Sequence, residues 1–340
     1  MDLSCLKELM SRAPDMVITV LGDFCLDKYL YIDADRDEPS LETGLTAYQV
    51  VGKGIYPGGA GTVANNLRAL TAQVGCVGVI GEDGEGCELT NALRKIGADT
   101  AYMVADSERC TSTYTKPMRG RPGAYTELSR LDFKNYAPMS KATEDKVIAN
   151  MRACAAKLDA LIVVDQFVEP DCGVVNSNVR KAISELARER PGLVIFADSR
   201  AFIHLFSGVV VKCNNYEVVR SVVPDFDGEP DEQTVLDCGK KLCEKNGRPV
   251  FVTLGERGIR AFDGEGAHRA RGLDVPGPID ICGAGDAATS GIALALALGA
   301  NCAAAAVMGN LVASITIQQI GVTGTATPAQ VIERYKDHFC

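Results

Sequence analysis

The sequence predicts an α/β fold with a central, mostly parallel sheet flanked by helices and a small β lid. Three observations predict it. From residue 73 onward, short apolar runs alternate with helical segments, as parallel strands joined by crossover helices require. Several of those runs end in Asp, Asn, Thr or Gly, and the carboxyl ends of such strands are where open sheets collect ligands. Two stretches, 29–56 and 100–133, interrupt the alternation with Thr, Tyr, Arg and Gly and show no helical period, so they read as β excursions. No internal repeat or low-complexity linker divides the 340 residues. The expectation is one domain, 1–340, whose two inserts cover one site and exclude water from it.

Taken in order, residues 1–12 read as an amphipathic helix with Leu3, Leu6, Leu9 and Met10 on one side. Residues 16–21, MVITVL, are a strand buried on both faces, and Gly22-Asp23 ends it in an acidic loop. Asp23 and Asp27 are therefore candidates for contacts to a polar substrate, with turn and cap roles as the alternative. At 56–70, YPGGAGTVANNLRAL, a glycine loop leads into a helix starting near Thr62. Gly58 and Gly59 let the backbone approach a ligand, and Asn65 and Asn66 offer amides to hydroxyl groups. Strands follow at 74–80, 160–164, 193–196, 209–212 and 250–254, with helices at 87–96, 140–157, 174–188 and 232–244. The Ala/Gly-rich run 287–300 is too short to span a bilayer and reads as a buried helix. Lys116, Arg130 and Asp132 lie in the second insert, where a basic side chain suits a substrate that already carries a phosphate; solvated surface roles are the alternative.

Composition narrows the function. A net charge of −9 with no run of five or six like charges argues against a general nucleic-acid surface. The 13 cysteines include no CxxC, and the three histidines are far apart, so no zinc spacing is present; reduced thiols in a cytoplasmic protein are expected. Residues 1–14 carry charges throughout and lack the apolar segment of a signal peptide. Neither the G-x-x-x-x-G-K-[ST] phosphate loop nor a strand-linked G-x-G-x-x-G occurs.

The chemistry centres on 280–291, DICGAGDAATSG. Its glycines permit a sharp turn, and the helix that follows begins with unpaired N–H groups and a partial positive charge, a site for an anion such as phosphate. Asp286 sits in the first helical turn. It either stabilises the helix or takes a proton from a hydroxyl aimed at the phosphate.

With these motifs in order, the sequence resembles the ribokinase-like (PfkB) family of carbohydrate kinases over residues 16–328. GAGD at 283–286 matches the family's anion hole and catalytic base, PGGAGTVANN at 57–66 its amino-terminal glycine signature, and Asn214 with Glu217 its N-x-x-E motif. Thr253, Gly255 and Gly258 match the T-x-G-x-x-G nucleotide loop, and Asn310 falls in the helix that flanks the adenine. The resemblance implies ATP-dependent phosphorylation of a sugar or sugar phosphate. Asp286 would be the base, and the N–H groups of Gly283, Ala284 and Gly285 would hold the transferring phosphoryl. Asp23, Asp27, Gly58, Gly59, Thr62 and Asn66 would line the acceptor site, with Lys116, Arg130 and Asp132 above it. Mg²⁺ would be placed by Asn214 and Glu217 through water, and a monovalent cation such as K⁺ beside Asp280. GDFCLDKY at 22–29, SRLDF at 129–133 and GTATP at 324–328 look like the bacterial heptose-phosphate kinase branch. The chain departs from that pattern at Thr62, at Ile281-Cys282 and at Cys213. A nucleoside kinase, with Tyr29, Tyr31, Tyr48 or Tyr125 stacking on a base, and a sugar sensor without turnover are the alternatives. An exposed lid edge suits pairing into a homodimer.

Overall fold

The computed structural model describes residues 1–340. In chain order, α1 (Leu3–Arg12) leads into β1 (Val17–Gly22), an interior strand of the main sheet. A first excursion comprises β2 (Phe24–Asp33), β3 (Glu38–Pro39), β4 (Thr46–Ala47) and β5 (Val50–Gly59). The chain returns through α2 (Ala60–Ala69), β6 (Gln73–Gly81), α3 (Gly84–Lys95) and β7 (Asp99–Asp106). A second excursion comprises β8 (Thr113–Arg121), β9 (Ala124–Glu127) and β10 (Leu131–Phe133). Regular alternation follows: α4 (Lys141–Ala155), β11 (Ala160–Asp165), α5 (Ser177–Glu189), β12 (Val194–Ser199), β13 (Val210–Asn214) and α6 (Asn215–Arg220). Then come α7 (Glu232–Asn246), β14 (Val250–Thr253), β15 (Ile259–Asp263), β16 (Gly266–Ala270), α8 (Ala284–Ala297), α9 (Cys302–Thr316) and α10 (Pro328–Phe339).

The main sheet has nine strands in the order β16-β15-β14-β13-β12-β11-β1-β6-β7. The seven from β14 to β7 run parallel; β15 and β16 close one edge as antiparallel strands. Parallel strands buried on both faces are nearly all apolar, and β11 illustrates why. Ala160, Ile162 and Val164 pack on one side with α1, α2, α8, α9 and α10, whereas Leu161 and Val163 pack on the other with α4, α5 and α7. The strand order reverses between β1 and β11, so the crevice at their carboxyl ends is where this topology admits a ligand.

The lid is a separate sheet, β10-β8-β2-β5, with β9 also paired to β8. It rises directly from the crevice because the chain turns sharply between β1 and β2. Gly22 has φ +146°, and a Cβ there would lie 2.0 Å from the Val164 carbonyl oxygen. Two sequence expectations shift. Residues 100–106, grouped above with the second insert, belong to β7 on the main-sheet edge, paired in parallel with β6. An edge strand with one exposed face alternates polar and apolar residues, which makes it look like lid sequence. The helix expected at 174–188 begins at Ser177, because Val174 and Val175 are buried in the preceding loop and Asn176 caps by accepting from the Val179 N–H at 2.9 Å.

Candidate active site

The tip of α8 sits over the crevice. Gly283 adopts φ +77°, and a Cβ there would lie 2.5 Å from Thr323 Cγ2, so the turn requires glycine. The N–H of Ala284 is spent on the Ile281 carbonyl at 3.1 Å, which removes it from the expected donor set. The N–H groups of Gly283, Gly285 and Asp286 have no protein acceptor. With the helix dipole, they are a set of free donors able to receive an anion.

Asp286 makes no side-chain hydrogen bond to the protein and lines a cavity of about 290 Å³. Burial, then repulsion from Asp198, raises its pKa to about 7, although Lys212 and Arg200 pull the other way. A carboxyl poised near neutrality matches the requirement for a general base at ordinary pH. Lys212 on β13 is buried and donates to Asp198 Oδ2 at 2.6 Å; Thr289 on α8 donates to the same oxygen at 2.8 Å. Burial opposes the lysine's charge, but Asp198, Glu217 and Asp286 outweigh it and hold the pKa above the ordinary value. A methyl group on Gly285 would lie 3.3 Å from Lys212 Nζ, so this cation stands at the helix tip.

Asp27 on β2 and Gly59 on β5 line the same cavity, with Thr62 on α2 and with Arg130 and Asp132 near β10. Burial raises the Asp27 pKa, with Lys116 opposing. Lys116 Nζ stands 3.5 Å from Asp27 Oδ1 and donates to Tyr29 Oη at 3.0 Å. Gly58 is required beneath: a Cβ there would be 2.6 Å from Asp27 Oδ2. Arg130 and Asp132 pair with each other through two 2.7 Å bonds, and the guanidinium lies over Tyr114.

Three expected contacts fall elsewhere. Asp23 is 2% exposed, and its two oxygens accept the Gln166 and Val174 N–H groups at 2.8 and 2.7 Å. It therefore ties β1 to the loop after β11, and no oxygen faces a substrate. Asn66 is 1% exposed; its amide donates to the Thr62 carbonyl at 3.1 Å inside α2. Asp280 accepts from the Cys282 and Gly321 N–H groups, both at 3.0 Å, so both oxygens already brace the loop under the helix tip.

On the other side of Asp286, Asn214 and Glu217 form a capping box at the start of α6. Asn214 Oδ1 accepts from the Glu217 N–H at 2.9 Å, and Glu217 Oε2 accepts from the Asn214 N–H at 2.7 Å. Burial and then Asp198 raise Glu217 to about 7. Thr253 ends β14, and the positive-φ residues Gly255 and Gly258 make the turn into β15. Asn310 on α9 donates to the Ala270 and Arg271 carbonyls at 3.1 and 2.9 Å, which fixes the end of β16, the strand paired to β15.

This arrangement has relatives. Residues 24–126 and 205–330 match the pfkB family carbohydrate kinase pattern. The chain belongs to the pfkB family of carbohydrate kinases. It is 27% identical over 333 residues to the bifunctional protein HldE of Geobacter metallireducens, covering 98% of this chain and 65% of that protein. Identity to HldE of Trichlorobacter lovleyi is 29% over 334 residues, with 98% and 65% covered. The chain thus spans just under two thirds of the length of these curated relatives. Among solved structures, Escherichia coli phosphofructokinase-2 superposes with TM-score 0.70 at 16% identity, covering 95% of this chain and 99% of that one. Arabidopsis thaliana ribokinase superposes with TM-score 0.68 at 18% identity, covering 94% and 99%. These likenesses establish a shared fold.

Within this pfkB chain, four charged groups of the site escaped sequence reasoning: Lys134, Asp198, Arg200 and Lys212. A signal existed for two of them. Lys212 interrupts the apolar run VVVKC, and a lysine in a strand buried on both faces needs a partner or a ligand. Asp198 ends a strand of the same sheet, as its partner must. Nothing in the sequence separated Arg200 from surface arginines.

Proposed function

We propose that this pfkB chain catalyses ATP-dependent phosphorylation of a hydroxyl on a sugar or sugar phosphate, with a heptose phosphate as the first acceptor to test. One observation carries the reading: the unpartnered Asp286 carboxyl and the free N–H groups of the α8 tip share a cavity with Asp27. A sugar hydroxyl oriented by Asp27 lies in line with a γ-phosphoryl on the helix tip. Asp286 takes the hydroxyl proton as the oxygen attacks, and the N–H groups of Gly283 and Gly285 hold charge on the phosphoryl oxygens. Lys212 adds a fixed positive charge behind Gly285. Mg²⁺ arriving with ATP neutralises phosphate charge. Glu217 and Asn214, already bonded to each other, would reach it through water. A monovalent cation held by backbone carbonyls of the loop that Asp280 braces belongs to the same reading.

The heptose phosphate rests on likeness to HldE and on the local sequence strings, together with Lys116, Arg130 and Lys134 around the cavity. The nucleoside alternative has less support, because Tyr29 packs edge-on to Tyr56 and Tyr31 packs on Tyr125. Exposed Val50, Val51, Leu131 and Phe133 on lid-edge strands support a homodimer through the lid.

The test is ADP release from ATP with a panel of sugars, heptose phosphates and nucleosides. A sugar or sugar phosphate should turn over fastest. Asp286→Asn should keep ADP affinity within about twofold and lose roughly 10²–10⁴ in kcat. Preference for a nucleoside would replace the acceptor class, and an active Asp286→Asn would remove the base.

A further inference from the structure

Besides Lys212, which Asp198 holds at the helix tip, four cations surround the cavity, and three of them are engaged with carboxylates. Lys116 faces Asp27, Arg130 is bound bidentately by Asp132, and Lys134 donates to Glu169 at 2.7 Å. Arg200 lines the cavity with Gly283 and Asp286 and has no carboxylate within 4.0 Å. Its backbone is pinned at the end of β12, where its N–H donates to the Asp165 carbonyl at 3.0 Å. An unpaired, exposed guanidinium on a pinned backbone at the mouth of a site is available to an anion, and its planar fork offers two parallel donors to phosphate oxygens.

The position of Arg200 selects which phosphate. Its field reaches both Asp286 and Glu217: burial and Asp198 push those two carboxyls up, and Arg200 opposes that rise at each. It also reaches Tyr114 and Cys25 on the acceptor side, where burial again dominates and Arg200 again opposes. The same cavity lining sets Arg200 beside Gly283 at the helix tip and beside Asp286, and in the kinase reading that is where the γ-phosphoryl meets the acceptor hydroxyl.

Resting on the kinase reading above, we propose that Arg200 is a catalytic residue whose guanidinium clamps the transferring phosphoryl opposite the α8 tip. The acceptor oxygen forms a bond to the γ-phosphorus, the bond from that phosphorus to the bridging oxygen breaks, the proton passes to Asp286, and ADP leaves. Charge spreads over three equatorial oxygens in this step. The helix amides cover one side, Lys212 is held back by Asp198, and Arg200 supplies mobile donors to the remaining side.

The experiment compares kcat and both KM values for wild type, Arg200→Lys and Arg200→Ala, using ATP and the best acceptor from the panel. ADP binding by calorimetry serves as the folding control. Arg200→Ala should lose about 10²–10³ in kcat, as removal of one transition-state donor does. Both KM values and the ADP affinity should stay within about threefold. Arg200→Lys should recover little, because a point charge lacks the fork. Added guanidinium chloride at roughly 50 mM should restore at least about tenfold of the Arg200→Ala rate, which a structural role would not allow. A kcat within threefold of wild type overturns the proposal. So does a raised acceptor KM with kcat intact, which would assign Arg200 to a charge on the acceptor. A wild type that releases no ADP with any acceptor overturns the kinase reading, and this clamp with it.

Discussion

At the residue scale the site is governed by the cost of holding carboxylates in a poorly solvated crevice. Asp286 has no hydrogen-bond donor of its own, so burial raises it to about 7. The consequence is a pH limb. The base must be ionised, so kcat/KM for the acceptor should fall about tenfold per pH unit below pH 7 and level off above it. Glu217 titrates in the same range, also near 7. Glu217→Gln should therefore retain the limb, and a profile flat from pH 5 to 8 in wild type would contradict the assignment of Asp286. Glycine acts at this scale too. Gly58 leaves room for the Asp27 carboxylate, and Gly283 accepts the positive φ of a turn at which three N–H groups have no protein acceptor.

At the element scale, strand ends are joined by buried side chains, and these are easily confused with substrate contacts. Asp23 follows β1 in an acidic loop, and the sequence pattern for a ligand carboxylate is the same as the pattern for a brace. The structure gives both its oxygens to backbone N–H groups of the loop after β11. Asp23→Ala would orphan two buried donors and should cost about 2–5 kcal/mol of stability by denaturant unfolding. The folded fraction should retain a near wild-type acceptor KM; a large KM rise at unchanged stability would return Asp23 to the substrate. The N-x-x-E motif has the same double nature. Its capping box fixes the first turn of α6 and at the same time keeps Glu217 close enough to Lys212 to hold that lysine's charge.

At the scale of the whole molecule, carboxyls drawn out of bulk water have raised pKa values and oppose folding once ionised: Asp286 and Glu217 near 7, Asp165 near 8, and Asp23 and Asp27 above their ordinary values. The sign follows from linkage. Between their ordinary values near 4 and their folded values, the native state binds more protons than the unfolded chain, so stability falls as pH rises and flattens above about pH 8. Asp286→Asn removes one of these groups. Its Tm advantage over wild type in the ligand-free protein should grow from about pH 4 to pH 7 and stay constant above; an advantage independent of pH would contradict a buried proton at this site. Stability is given up where function needs an ionisable group, a common trade at active sites. No helix of the structure is long and apolar enough to cross a membrane.

The sequence by itself determined the order of elements, the parallel sheet, and the glycine turn with its aspartate at the start of α8. These follow from local chemistry: apolar period, strand-end residues and backbone freedom. It also separated the lid strands from the core by texture, though 100–106 went to the wrong sheet because an edge strand is half exposed. The tertiary structure alone decided which charges face one another. Asp198 and Lys212 sit on neighbouring strands and meet only because β12 and β13 pair in register. Asp23 and Asp27 stand four residues apart, yet one is sealed by backbone donors and the other opens into the cavity. Ala284, inside the motif, spends its N–H on Ile281. Whether a polar group is free or satisfied depends on partners far away in the chain, and no local pattern carries that information.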